Sequence, residues 1–165
     1  MIEKSNKKTI IITIDTGDPN VSNSITAIVR MTFNGSEVKR SAMIYNGSFE
    51  KQKERILKKC ENADFVVLEK IDSTNKYISR SVVEEQIKLM KFLQDNKFNV
   101  RELIRSGRKE VITNDLLKQI QLWDEGPYET HHNDIREATR NGLYFMAKDE
   151  ELNNILSNYV QHFFF

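Results

Sequence analysis

The stretch TIIITI, residues 9 to 14, is an unbroken run of β-branched residues that stops at Asp15, Thr16 and Gly17. β-Branched side chains favour extended backbone, and a short apolar run bounded by turn formers reads as a buried, central strand. A central strand must have neighbours, and the chain supplies them. Residues 25–33 (ITAIVRMTF) and 37–45 (EVKRSAMIY) are two further strand candidates, joined through Asn34 and Gly35, a strong hairpin signal. Three antiparallel strands therefore open the protein.

Phe49, Ile56, Leu57 and Cys60 then fall on one face of a helix whose other positions are polar. Residues 64–68 (DFVVL) form a fourth strand that closes on Glu69 and Lys70, and the intervening helix predicts a crossover that makes this strand parallel to the first. A second amphipathic helix is expected over 81–95, on the register Val83, Ile87, Met90 and Gln94. A fifth strand follows at FNVRELI, then the basic loop RSGRKE and a short helix capped by Asn114. Two more helices complete the chain, one over 131–147 and one carrying Leu152, Ile155, Leu156, Tyr159 and Val160 at helical spacing. The closing HFFF is apolar enough to dock on the body or on a second subunit. The expected fold class is α/β: a mixed five-stranded sheet, three antiparallel strands then two parallel, flanked by helices.

At 165 residues, with 39% hydrophobic and 30% charged residues interspersed, one soluble domain spanning 1–165 is expected. No stretch approaches the roughly 20 apolar residues of a membrane span, and the N-terminus lacks a signal-type apolar region, so a cytoplasmic protein with no membrane partner is expected. Cys60 is the only cysteine, which excludes an intrachain disulfide and a Cys-rich zinc site. There is no GxGxxG and no GxxxxGK[ST], which argues against a nucleotide cofactor. Net charge is +1, but it is uneven: residues 70–118 hold 11 Lys and Arg against 7 Asp and Glu, whereas residues 119–151 hold 3 against 8. A basic segment beside an acidic one suits a protein that meets a phosphate backbone next to carboxylates that hold metal, and it suits solvated helix faces as well.

Three carboxylates stand at the ends of separate elements: Asp15 after strand one, Glu69 after strand four and Asp134 at the start of a late helix. In a mixed α/β sheet ligands collect beyond the carboxyl ends of parallel strands, and three hard oxygen ligands can converge on magnesium. His131 lies three residues before Asp134 and shares its helical face, while His132 is turned away by about 100°, so only His131 should look into the site. Each acid also has a plain structural role open to it: a strand-end turn for Asp15, an ion pair with Lys70 for Glu69, a dipole-complementing first turn for Asp134.

The segments TIIITIDTGDPNVSNSITAIV, ADFVVLEK and THHNDIREATRNGLYFM resemble RuvC-type Holliday junction resolvases of the RNase H-like superfamily, especially the compact phage forms. The shared features are a strand ending Asp-x-Gly, a hydrophobic strand ending in Glu and a helix opening His-x-x-Asp. The resemblance implies a magnesium-dependent endodeoxyribonuclease, with manganese able to substitute, that cuts four-way or related branched DNA as a homodimer. It implies two ions per site, with Asp15 bridging them, Glu69 and Asp134 holding one each, and His131 positioning the nucleophile or completing a shell. Products would carry 5′-phosphate and 3′-hydroxyl ends. DNA contacts would fall to Lys70, Arg105, Arg108, Lys109 and Lys118, and the helix at 81–95 resembles the family's dimer element.

The chain also departs from the pattern. Thr16 stands where the family often has Pro, and Ala27 where Gly is usual. The aromatic residue that follows the strand-four Glu in bacterial members is missing, with Asp72 at about that place and Tyr77 as a substitute. Two other functions share the core: a nuclease that processes structured RNA, and a non-catalytic junction-binding protein.

Overall fold

The computed structural model describes residues 7–71, 77–124 and 131–164. Its sheet has five strands, β1 (Thr9–Asp15), β2 (Ile25–Asn34), β3 (Glu37–Asn46), β4 (Phe65–Glu69) and β5 (Val100–Leu103), in the order β3-β2-β1-β4-β5. β1, β2 and β3 are antiparallel, and β4 and β5 run parallel to β1. This is the expected sheet, with β1 at its centre.

The isoleucine run is continuous because both faces of β1 are covered. Alternation sends Ile10, Ile12 and Ile14 to one face, where they pack with Ile28, Val66, Leu68, Ile56, Leu89 and Leu93. That side is roofed by α1 (Lys53–Lys59) and α2 (Arg80–Asp95). Ile11 points the other way, into a core with Val29, Met31, Val67, Ile135, Leu143 and Leu156. There the roof is α5 (His132–Lys148) and α6 (Leu152–Gln161), beside the short α3 (Arg108–Val111) and α4 (Asn114–Gln119). Helix α5 presses hard on the sheet: a Cβ on Gly142 would stand 2.5 Å from Thr13 Oγ1 and 2.6 Å from the Met31 methyl. Only glycine fits there.

Several local expectations are corrected. The first helix is broken in two at Gln52, a 3-10 turn at Phe49–Lys51 and then α1, and Glu85 on α2 anchors the start of the turn by accepting hydrogen bonds from the Phe49 N–H and the Ser48 hydroxyl. Helix α2 buries Glu85, Gln86, Leu89 and Leu93 rather than the Val83–Ile87 register, and Ile87 is left 61% exposed. Thr113, not Asn114, caps α4, accepting from the Leu116 N–H at 3.1 Å. Asn114 is instead engaged by Arg140 through its side-chain oxygen. The basic loop contains the helical turn α3, which starts at Gly107 with φ of 85°. Within the apolar tail Phe163 docks on Tyr159, with ring centroids 5.1 Å apart, whereas Phe165 lies outside the described residues.

An ion pair ties α3 to α5, and a hydrogen bond from Arg140 to Asn114 ties α4 to it. Arg108 is 3% exposed, and its guanidinium donates to Glu137 and to Asn141. Arg140, also buried, reaches the Ile112 carbonyl and the other oxygen of Glu137. Glu137 thus sits between two buried cations.

Candidate active site

Asp15 and Glu69 each lie one residue past the Ile14–Leu68 pair of the parallel ladder, so the two acids sit side by side at the carboxyl ends of neighbouring strands. Alternation directs both toward the α5 face, the side of Ile11 and Val67. Asp134 joins them from the first turn of α5. Three elements distant in sequence therefore bring their carboxylates to one end of the sheet.

Electrostatics shows that these acids sense each other. Burial pushes the Asp15 carboxyl up to about 7, and the charges of Glu69 and Asp134 push it the same way, against the opposing pull of Arg105 and Arg108. A carboxyl raised first by burial and further by two like charges is costly to ionise, and a divalent cation is a partner that would offset that cost. The donors present suit such an ion: carboxylate oxygens, hard and anionic, with one imidazole nearby. Among the described residues no three such side chains already close into a cage. Glu69 pairs with Arg105 at 3.1 Å, and Asp134 faces His131 Nδ1 at 3.3 Å.

The two histidines diverge as their spacing requires. His131, the residue before α5, is turned to Asp134, whereas His132 Nδ1 lies 2.8 Å from Asp124. Asp124 is buried and also accepts from Arg40 at 2.7 Å, so His132 belongs to a structural ion cluster outside the site.

The expected DNA-contacting residues separate into groups. Lys70 and Lys109 are exposed, Lys70 directly after Glu69 and Lys109 on α3, where it lines a cleft with Arg105 and Gly107. Arg105 is held on Glu69, inside the candidate site. Arg108 borders the same cleft but is only 3% exposed, and its Nη1 is spent on Glu137 and Asn141 of α5, so the structure gives it a structural role in place of the expected DNA contact. Lys118 rests 4.7 Å from the centre of the Trp123 ring, whose face also carries Arg136. Tyr77 is 87% exposed, and Asp72 lies outside the described residues.

Sequence reasoning missed the support beneath the acids. The Gly17 N–H donates to Thr26 Oγ1 at 3.0 Å, and a Cβ on Gly17 would collide with the Ile25 carbonyl at 2.2 Å, so the turn after Asp15 lies flat against β2. Gln86 of α2 reaches both strand ends, a role that no part of the motif signals. The available clue is a glutamine standing on the Leu89–Leu93 stripe, where an apolar residue belongs.

No family model matches the sequence, and no curated protein matches it. Solved structures do. Thermus thermophilus RuvC superposes with a TM-score of 0.59 at 11% identity, over 81% of this chain and 91% of that one. The T. thermophilus RuvC complex with Holliday junction substrate gives 0.57 at 10% identity, over 81% and 90%. Fowlpox virus resolvase, solved with Holliday junction DNA, gives 0.52 at 16% identity, over 84% and 99%. The chain has the RuvC-like, RNase H-like fold.

Proposed function

We propose that this protein is a divalent-metal-dependent, structure-selective endonuclease that cuts four-way or related branched DNA. The observation that carries the reading is the state of Asp15: a carboxyl at the end of the central strand, raised to about 7 by burial and by Glu69 and Asp134 from two other elements. Structural ion pairs do the reverse, lowering a carboxylate by surrounding it with cations. The fold shared with RuvC supports the reading, and in this chain Asp15 and Glu69 close two neighbouring strands while Asp134 opens the late helix, as the resemblance implies.

Asp15, Glu69 and Asp134 would hold the ions, with Asp15 shared and His131 beside Asp134 completing the set. Bound magnesium or manganese supplies Lewis acidity toward a phosphodiester and an activated water for in-line attack. Around that chemistry the chain's own groups bind and orient. Asp15 gives up its proton as the cation is taken up. Arg105, released from Glu69, meets the phosphate, while Lys70 and Lys109 grip flanking backbone and Tyr77 offers a ring for an unpaired base. Cleavage leaves 5′-phosphate and 3′-hydroxyl ends. A homodimer suits a substrate of two-fold symmetry, and the outer stripe of α2, with Val83 and the exposed Ile87 one turn apart, is the face proposed for it.

The test is cleavage of labelled four-way junction, plain duplex and structured RNA, with magnesium or with chelator, beside Asp15→Asn and Asp134→Asn. Magnesium-dependent cutting of the junction, lost in both variants, is the expected result. Wild-type rates in both variants overturn the assignment of the site, and preference for RNA replaces the substrate with structured RNA.

A further inference from the structure

Gln86 is 5% exposed, on the face of α2 where Leu89 and Leu93 enter the core. A primary amide is costly in such a place unless its polar ends find partners, and a leucine would pack there without that cost. Both ends of the amide are engaged. Its Oε1 accepts from the Thr16 hydroxyl at 2.9 Å, and its Nε2 donates to the backbone carbonyl of Glu69 at 2.5 Å. Thr16 directly follows Asp15, so one side chain grips the chain beside both strand-end acids.

A second grip lies a turn and a half earlier on the same helix. Asp18 accepts from Ser81 Oγ at 2.7 Å and from Ser79 Oγ at 2.8 Å, bonds that hold its carboxyl below the usual range. The loop leaving Asp15 is thus fastened to α2 at two points, and the end of β4 at a third. The acids themselves project to the opposite face of the sheet, toward α5. Gln86 therefore cannot reach what they bind, and whatever it does to the site passes through the backbone.

We propose that Gln86 is a positioning residue, holding the strand ends that carry Asp15 and Glu69 at the separation at which their carboxylates share divalent cations. The proposal rests on the nuclease reading above. It asks more of Gln86 than core packing, because a packing role is satisfied by any side chain of the right volume.

The experiment compares wild type with Gln86→Met, which keeps the volume and removes both bonds, and with Thr16→Val, which removes one. Asp15→Asn reports on the reading itself. Manganese binding to the protein alone is measured by calorimetry, and junction cleavage is followed at increasing magnesium, at a temperature where each variant is folded. Supporting residues around a metal site typically change affinity or activity by about 10- to 100-fold. Gln86→Met is expected to lose about tenfold in manganese affinity, to cut more slowly in a way that added magnesium partly restores, and to bind junction in chelator as wild type does. Thr16→Val should show a smaller loss in the same direction, and the double variant should be no worse than Gln86→Met.

Wild-type manganese affinity and magnesium dependence in Gln86→Met, beside an inactive Asp15→Asn, would show that Gln86 only fills the core and overturn the proposal while leaving the site intact. An Asp15→Asn protein that binds manganese and cuts normally overturns the site and this proposal together. If Gln86→Met does not fold, Thr16→Val decides, and unchanged metal affinity there is the negative result.

Discussion

Two groups of acids lie a few residues apart on and around α5, and they are treated in opposite ways. Glu137 and Asp124 are each held by basic partners: the Arg108 and Arg140 guanidinium groups flank the first, and the Arg40 guanidinium and the His132 ring the second. Asp15, Glu69 and Asp134 are set close to one another, with Arg105 the one arginine paired among them in the described residues, and Asp15 is raised to about 7 by burial first and by its two acidic neighbours next. Proximity of charge to charge is common to both groups. Compensation separates them: the first group is scaffold, and the second is the one on which the proposed cation site rests.

The comparison can be broken at its strongest point by removing one charge from each group. Asp15→Asn should reduce junction cleavage by about a thousandfold, the rate equivalent of about 4 kcal/mol of lost charge stabilisation, with the fold retained; single-turnover kinetics measures the first and circular dichroism the second. Glu137→Gln should do the reverse. It leaves Arg108 and Arg140 buried without their anion, so urea unfolding should report a loss of about 3–5 kcal/mol, with any surviving folded protein still able to cut.

A smaller effect concerns pH. Because the Asp15 carboxyl is raised in the folded protein, the native state binds a proton more tightly than the unfolded chain does. That contribution to stability is complete below about pH 4 and is lost as pH rises through about 7. Metal-free protein should therefore lose stability across this window, by about 2 kcal/mol once partial solvation of the group is allowed for, relative to Asp15→Asn, in which the slope is absent. Manganese should abolish the difference. Equal pH profiles for the two proteins would remove the electrostatic argument for the site.

Smallest of all is the contrast between adjacent cations. Lys109→Ala should leave unfolding within about 0.5 kcal/mol of wild type and flatten the salt dependence of DNA binding by about one unit of slope. Arg108→Ala, one residue away, should destabilise the fold because Glu137 loses a buried partner. If the two variants behave alike, burial is not what distinguishes them.

Much of the sheet was legible because β1 is β-branched from Thr9 to Ile14 and Asn34-Gly35 allows little but a hairpin. The three acids were legible because each closes or opens an element, where a polar residue is conspicuous. What stayed hidden was decided by contacts between distant segments. The register of α2 could not be read because Val83 and Ile87 look as apolar as the stripe that is buried, and the choice went to the face on which Gln86 and Glu85 find partners. Arg108 looked like its neighbour Lys109 because nothing local reveals that Glu137, 29 residues on, folds over it.

The glycine at position 142 fixes more than a packing distance. It is the rivet at which α5 meets β1, and Asp134 stands eight residues, about 12 Å of helix, toward the free end. One residue added or removed between them would swing that carboxylate by about 100° around the axis and leave it pointing away from the strands, with no side chain changed. Substitution is thus the milder hazard for this stretch, and a change in its length is the graver one.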